Sequence, residues 1–236
     1  MKKRIKNILL TARDRMPVIY TTSLFASAWL VNLSTRRKIR GKGNIVVSKG
    51  AFLKNCSIDI CGNNNQIRIA PECVLRKVKF FVRGDGHIIE ISPRVRINRF
   101  ALLWCQDENG TLAIGEGTSI EEAHIAVSEP GSRIEIGSGC MFAYDIEIRC
   151  GDSHSILDAQ TKKRINPPAN VTIHDRVWIG MGAKILKGVE IGSDSVIATG
   201  AVVTKSVPSG SISAGNPAKI VREGICWNNQ RLQDRY

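Results

Sequence analysis

Apolar side chains recur at every sixth residue between Ile173 and Val203. One stripe consists of Ile173, Ile179, Ile185, Ile191, Ile197 and Val203, and a second, two residues earlier, of Val171, Val177, Ala183, Val189, Ser195 and Ala201. A helix repeats its apolar face at 3.6 residues and a strand at two, so neither explains a period of six. A six-residue unit matches one flat side of a parallel β-helix, in which the stripes face inward and the coils stack.

The same pattern extends toward the amino end, with less regular spacing. Its inward pairs are Ile45/Val47, Ile58/Ile60, Ile67/Ile69, Ile89/Ile91, Val95/Ile97, Leu112/Ile114 and Ile134/Ile136. Between them, GNNNQ (62–66), RGDGH (83–87) and QDENG (106–110) are typical of turns. We therefore predict an all-β solenoid over residues 39–222, with roughly six to eight coils of ~18 residues.

The first 38 residues are a basic, partly helical segment. Ile5, Ile8, Leu9, Ala12 and Met16 share one face of a predicted amphipathic helix. An uncharged run from Met16 to Thr35 follows. Its polar residues favour a cap on the first coil or a helix in the membrane surface over a transmembrane span. Residues 223–236 form a polar tail.

Charge is concentrated at the amino end. Residues 1–43 contain eleven Lys or Arg and one acid, which gives +10 of the net +13. This arm favours contact with anionic lipid or an anionic glycan, whereas nucleic acid is disfavoured because no recognition module accompanies it.

The seven cysteines contain no CxxC pair and no signal peptide is evident. We therefore expect a cytoplasmic protein whose cysteines are free thiols. A peripheral position on the inner face of the inner membrane is left open.

The repeat breaks for longest between Ile148 and Val171, which predicts a loop over about 149–170 that leaves the solenoid. Long loops on rigid scaffolds often carry function. This loop contains His154 in GDSHSILD. An imidazole can take a proton from a hydroxyl at neutral pH and return it to a leaving group.

Three segments resemble one enzyme family: CMFAYDIEIRCGDSHSILD (140–158), the run from Val177 to Gly210, and AGNPAKIV (214–221). They resemble the hexapeptide-repeat O-acetyltransferases of the polysaccharide and maltose/galactoside type. The resemblance implies a left-handed parallel β-helix, acetyl-CoA as the donor, a saccharide acceptor, and a homotrimer with active sites between subunits. It implies no metal, since His87, His124 and His174 lack the zinc pattern of the carbonic anhydrases that share this fold.

The resemblance also assigns catalytic residues. His154 matches the family's base, and Trp178 matches a tryptophan that lines the acetyl-transfer site. Asp158 follows His154 one residue later than in the maltose type, so either Asp158 or Asp152 is left as the partner of the imidazole.

A coenzyme site follows from the same resemblance. Gly180, Ala198 and Thr199 would leave backbone groups open to the coenzyme, and Asn216-Pro217 matches the family's closing turn near the adenine. Lys205, Lys219 and Arg222 are candidates to meet its phosphates.

The sequence thus predicts an acetyl-CoA-dependent O-acetyltransferase that acts on a bacterial surface polysaccharide such as capsule or O-antigen. Two alternatives remain open. One is transfer to a small acceptor (a free sugar, serine or an antibiotic), and the other is a non-catalytic scaffold in glycan assembly.

Overall fold

The computed structural model describes residue 32 and residues 34–230. The predicted helix from Ile5 to Met16 and most of the run from Met16 to Thr35 lie outside this range. Among the described residues, no helix is long and apolar enough to cross a membrane. The described chain is an all-β parallel solenoid with three flat faces.

A 15-stranded sheet supplies two faces, because two of its strands, β9 (Arg96–Glu108) and β11 (Ser119–Val127), contribute to both. The first face also contains β3 (Phe52–Lys54), β6 (Val74–Arg76), β13 (Met141–Phe142), β16 (Trp178–Ile179), β19 (Val196–Ile197) and β21 (Ile212–Gly215). The second face also contains β1 (Arg36–Arg40), β4 (Ser57–Cys61), β7 (Val78–Asp85), β14 (Ile146–Arg149), β17 (Lys184–Ile185) and β20 (Val202–Val203).

A seven-stranded sheet forms the third face. It consists of β2 (Ile45–Val47), β5 (Gln66–Ile69), β8 (Ile88–Ile91), β10 (Thr111–Ile114), β12 (Arg133–Ile136), β15 (Val171–Ile173) and β18 (Glu190–Ile191). The last strand, β22 (Ala218–Arg222), turns back and pairs antiparallel with β21.

The two predicted stripes form the core of the carboxyl-terminal coils, and every member is buried. Six of the seven inward pairs predicted for the earlier coils are buried too. The pair Ile45/Val47 was wrong, because both side chains are about half exposed and Val46 packs on the core instead. All three residues of β2 are apolar, so the sequence did not show which of them point inward.

The amino-terminal coils are longer than the predicted ~18 residues. Ile39 pairs with Ile60, and Ile60 with Val82, so these coils contain 21 and 22 residues, whereas the step from Ile185 to Val203 is 18. The extra residues lie in the predicted turns, which stack where the second face meets the third. We call this line the second edge. Gly84 illustrates its tightness, because a Cβ there would lie 1.6 Å from the Asp107 carbonyl oxygen.

The line where the first face meets the second is called the first edge. It runs from residues 54–55 through 76–77, 98–99, 121–122 and 143–145 to 180–183 and 198–201. Adjacent coils are joined along it by backbone hydrogen bonds, such as that from Lys77 N to Lys54 O at 2.9 Å. The two edges therefore lie on different sides of the second face.

Candidate active site

The long loop leaves the solenoid at the second edge, between the end of β14 at Arg149 and the start of β15 at Val171. Its two limbs form a short antiparallel hairpin. Leu157 and Arg164 are bridged, and Ile165 N donates to Ile156 O at 2.9 Å. The predicted boundaries of the loop agree with these bounds.

Asn166 holds the base of the loop together. Its side-chain amide nitrogen donates to Asp152 Oδ2 and to the His154 carbonyl oxygen, both at 2.8 Å. Its amide oxygen accepts from Ile156 N at 2.6 Å. Because Asn166 is buried, these bonds are shielded from water and fix the backbone at His154 and Ile156.

An ion pair ties this hairpin to the coil beneath it. The Arg164 guanidinium donates to both carboxylate oxygens of Glu129, with Nη2 to Oε1 at 2.8 Å. The hydrogen bond and charge of Arg164 hold the pKa of Glu129 below its ordinary value of 4.5. A second pair, Lys187 with Asp152, likewise lowers the pKa of Asp152. The loop is thus anchored by two basic side chains on two carboxylates.

His154 opens into a cavity of about 470 Å³ between the loop and the second edge. The cavity is lined by Asp107, Glu108, Glu129, Pro130, Ser153, His154, Ser155 and Arg164. The side chain of His154 is exposed, and within residues 34–230 it makes no hydrogen bond. The ring is therefore open to the cavity while its backbone is fixed.

Neither candidate aspartate forms a hydrogen bond or an ion pair with the imidazole within the described part of the chain. Asp158 accepts from the backbone amides of Gln160 and Thr161 and from the Thr161 hydroxyl, so that its carboxylate closes the tip of the loop. Asp152 is engaged by Asn166 and Lys187.

Trp178 lies on the first face, away from the loop. Its side chain is 39% exposed, and its ring lies 6.0 Å from that of Trp227, whose Nε1 donates to Arg176 O at 2.6 Å. The Trp178 side chain points outward, because its neighbours Val177 and Ile179 are both buried and successive side chains of a strand alternate. His154 and Trp178 of one chain therefore lie on different sides of the solenoid.

The structure stacks several of the coenzyme candidates along the first edge. Gly180 N donates to Ile197 O at 2.8 Å and Ala198 N to Ser213 O at 2.9 Å, which places Gly180 below Ala198 and Thr199. A Cβ on Gly180 would lie 2.7 Å from Thr199 N, so a larger residue could not keep this spacing.

The remaining candidates lie at or beyond the last coil. Asn216-Pro217, joined by a cis peptide bond, forms the turn between β21 and β22. Lys219 and Arg222 are exposed on β22, whereas Lys205 follows β20 on the way to the third face. The structure thus brings Asn216 and Pro217 to the same end of the first edge as Thr199, and separates Lys205 from them.

Comparison with known proteins assigns the family. The family Bacterial transferase hexapeptide (six repeats) matches residues 170–205. A polysialic acid O-acetyltransferase of Neisseria meningitidis is 31% identical over 187 residues, which cover 79% of this chain and 86% of that protein. The chain belongs to the hexapeptide-repeat O-acetyltransferases. The predicted left-handed parallel β-helix and the predicted acetyltransferase class are thereby confirmed.

Two further relatives agree. The solved structure of the polySia-specific acetyltransferase NeuO has a TM-score of 0.77 and 33% identity, covering 84% of this chain and 90% of that one. A polysialic acid O-acetyltransferase of Escherichia coli O1:K1 is 38% identical over 114 residues, which are 48% of this chain but only 37% of that protein.

Sequence reasoning missed the residues that position the loop of this O-acetyltransferase. Glu129 and Arg164 are 35 residues apart, and Asp152 and Lys187 are also 35 apart. No local motif links such residues. The available signal was the break in the repeat, which indicated a loop without showing where it would be held.

The Arg164–Glu129 pair yields a prediction about how firmly the long loop is held in place. In Arg164→Gln, hydrogen exchange of the Ile156 and Ile165 amides should accelerate by about tenfold, because hydrogen bonds between charged groups are stronger than neutral ones. In the native enzyme the protection factors of the same amides, which correct for the slower intrinsic exchange at low pH, should fall on acidification. A depressed pKa means that the stabilisation from Glu129 is present above its ordinary value of 4.5 and is lost as the pH falls through the lowered value.

The measurement is amide exchange followed by mass spectrometry, with Arg133→Gln as a matched control on the exposed pair Arg133–Glu135 of the third face. Equal exchange of the loop in both variants would contradict the anchoring role.

Proposed function

We propose that this O-acetyltransferase moves an acetyl group from acetyl-CoA to a hydroxyl of a bacterial surface polysaccharide. The observation that carries the proposal is the similarity to NeuO over 84% of the chain, together with that to the Neisseria meningitidis enzyme over 79%. Both relatives are acetyltransferases of polysialic acid. A capsule or related glycan is accordingly the proposed acceptor.

The donor would lie along the first edge. Gly180, Ala198 and Thr199 leave a groove with accessible backbone, in which the pantetheine arm would run toward the Asn216-Pro217 turn. Lys219 and Arg222, exposed on β22, would meet its phosphates. Lys205 is the weaker phosphate candidate because it lies on another side of the chain.

A complete site needs more than one chain under this proposal. His154 projects from the second edge, whereas Trp178 and the donor groove belong to the first face and first edge. A single solenoid cannot bring both sides to one substrate, because the second face lies between them. A homotrimer, in which the loop of one chain meets the first edge of its neighbour, would solve this problem.

In the proposed reaction, His154 removes the proton of the acceptor hydroxyl as its oxygen attacks the thioester carbonyl carbon. The carbonyl π electrons move to oxygen, and backbone N–H groups or the Trp178 indole N–H would stabilise the oxyanion. When the carbon–sulfur bond breaks, the coenzyme thiolate takes the proton from His154. The products are the acetyl ester and free coenzyme A, and no covalent enzyme intermediate is required.

The basic residues 1–38 are proposed to hold the enzyme near its acceptor at the cytoplasmic face of the membrane, by attraction to anionic lipid. This contact would determine where the enzyme is located, and catalysis itself would not depend on it.

The experiment that tests the proposal measures free-thiol release from acetyl-CoA with and without a panel of acceptors. The panel contains bacterial surface polysaccharides, maltose, galactosides and serine. Release that depends on a polysaccharide supports the proposal. Release only with the small acceptors would favour a small-molecule acetyltransferase. Absence of both coenzyme binding and turnover would leave the scaffold interpretation.

A further inference from the structure

A strip of basic side chains follows the first edge through the three amino-terminal coils that it crosses. The strip consists of Lys54, Arg76, Lys77 and Arg99, flanked by Arg36 and Lys79. All six side chains are exposed, and within residues 34–230 none of them makes an ion pair. Most other arginines of these coils, such as Arg40, Arg68, Arg83 and Arg94, are paired with an acid.

Coil stacking creates the strip. Lys54 pairs with Arg76 in neighbouring strands, and Arg99 of the coil that follows lines the same cleft as Lys77. Adjacent parallel strands are about 4.8 Å apart, so the strip extends over roughly 10 Å. Like charges on neighbouring strands destabilise a sheet. The fold therefore gains nothing from this arrangement, whereas an anionic ligand would neutralise it.

Two adjoining clefts accompany the charges. One, of about 330 Å³, is lined by Lys54, Asn55, Arg76, Lys77, Asn98 and Arg99. The other, of about 550 Å³, includes Arg36, Lys77, Lys79 and the ring of Phe100. Guanidinium and ammonium groups bind carboxylates, and amide groups form hydrogen bonds with hydroxyls. An aromatic ring packs on the apolar face of a sugar. Together these are the groups that an acidic sugar would require.

The strip is in line with the donor groove. Both lie on the first edge, the strip in the amino-terminal coils and Gly180 in the carboxyl-terminal coils. Arg99 connects them, because its guanidinium lies 5.1 Å from the ring centroid of Tyr144, two coils farther along. Glu121, which accepts from Asn98 Nδ2 at 2.6 Å, marks the end of the basic stretch.

We propose that this strip binds a negatively charged stretch of the acceptor glycan next to the sugar that reacts, and so selects polymers that carry carboxylates. The inference rests on the proposed function, and it adds the surface of this chain that would recognise an acidic acceptor. A cleft along one edge suits a single extended polymer better than a flat lipid surface.

The test compares the double variant Arg76→Gln/Lys77→Gln with Lys49→Gln/Arg68→Gln. The control also removes two exposed basic side chains, but both lie off the first edge and outside the basic arm of residues 1–43. The acceptors are polysialic acid and the same polymer with its carboxylates reduced to alcohols. The ratio of kcat/KM for the acidic to the reduced polymer should fall about tenfold in the strip variant, since each exposed contact contributes modestly. It should not change in the control.

An unchanged ratio in the strip variant would overturn the proposal. Failure of the proposed function is recognised separately, by equilibrium binding of fluorescent polysialic acid to His154→Ala with and without the strip substitutions. If no polymer is acetylated but binding still requires Arg76 and Lys77, the strip is supported and the reaction is not. If only binding to phosphatidylglycerol vesicles falls, the strip is a membrane contact and the proposal is wrong.

Discussion

Replacement of His154 by alanine is expected to lower kcat for acetyl transfer by at least about a hundredfold, because positioned general bases contribute about 10² to 10⁴ in rate. Binding of acetyl-CoA should be nearly unchanged, since His154 is proposed to act on the acceptor hydroxyl and the coenzyme is proposed to be held by other residues. The measurement is acceptor-dependent thiol release under saturating donor, together with coenzyme affinity by calorimetry.

The matched control is His174→Ala. His174 is also a surface histidine, but it lies on the third face and its Nε2 is 2.7 Å from Glu190 Oε1. A loss confined to His154→Ala supports the base. Transfer that survives the substitution would leave the enzyme class intact and refute the mechanism, and the acids Asp107 and Glu108 of the same cavity would then be examined as bases.

Replacement of Phe142 by alanine is expected to lower the free energy of unfolding by about 3–5 kcal/mol, the usual cost of removing a buried aromatic ring. Phe142 is 1% exposed and is among the largest fully buried side chains. It stacks between Ile120 and Ile179 in the coils on either side. In a narrow solenoid no neighbouring layer can collapse into the space that the ring would leave.

Urea denaturation measures this effect, with Met141→Ala as the control. Met141 precedes Phe142 on the same strand but points outward. A comparable loss in both variants would show that the strand, and not the buried ring, determines stability here.

The core was largely predictable from the sequence, because inward positions of a solenoid repeat with a fixed period. The carboxyl-terminal stripes at six-residue spacing identified every inward side chain from Val171 to Val203. At β2 the alternation had no polar residue to fix its phase, and the predicted pair Ile45/Val47 was out of register by one. The predicted coil length was too short for a related reason. Turns can contain extra residues while the inward stripes stay in place, so the stripes do not reveal the length of the turns.

The site was predictable only in part. His154 could be found because a motif and a break in the repeat coincide there. The side chains that hold its loop, Asn166, Arg164 and Glu129, meet through tertiary contacts between distant segments. The basic strip was hidden for the same reason. Its members are 22 or 23 residues apart in sequence, and only the observed coil length brings them onto one edge.

The reversal of β22 has a consequence for the behaviour of the protein in solution. A stack of parallel strands ends in unpaired N–H and C=O groups, which invite another chain to continue the sheet and grow a fibre. On the first face, β22 covers this end by pairing antiparallel with β21. Because β22 runs antiparallel to the other strands, a further coil cannot pair with it in register. The chain reversal at the Asn216-Pro217 turn thus limits filament formation.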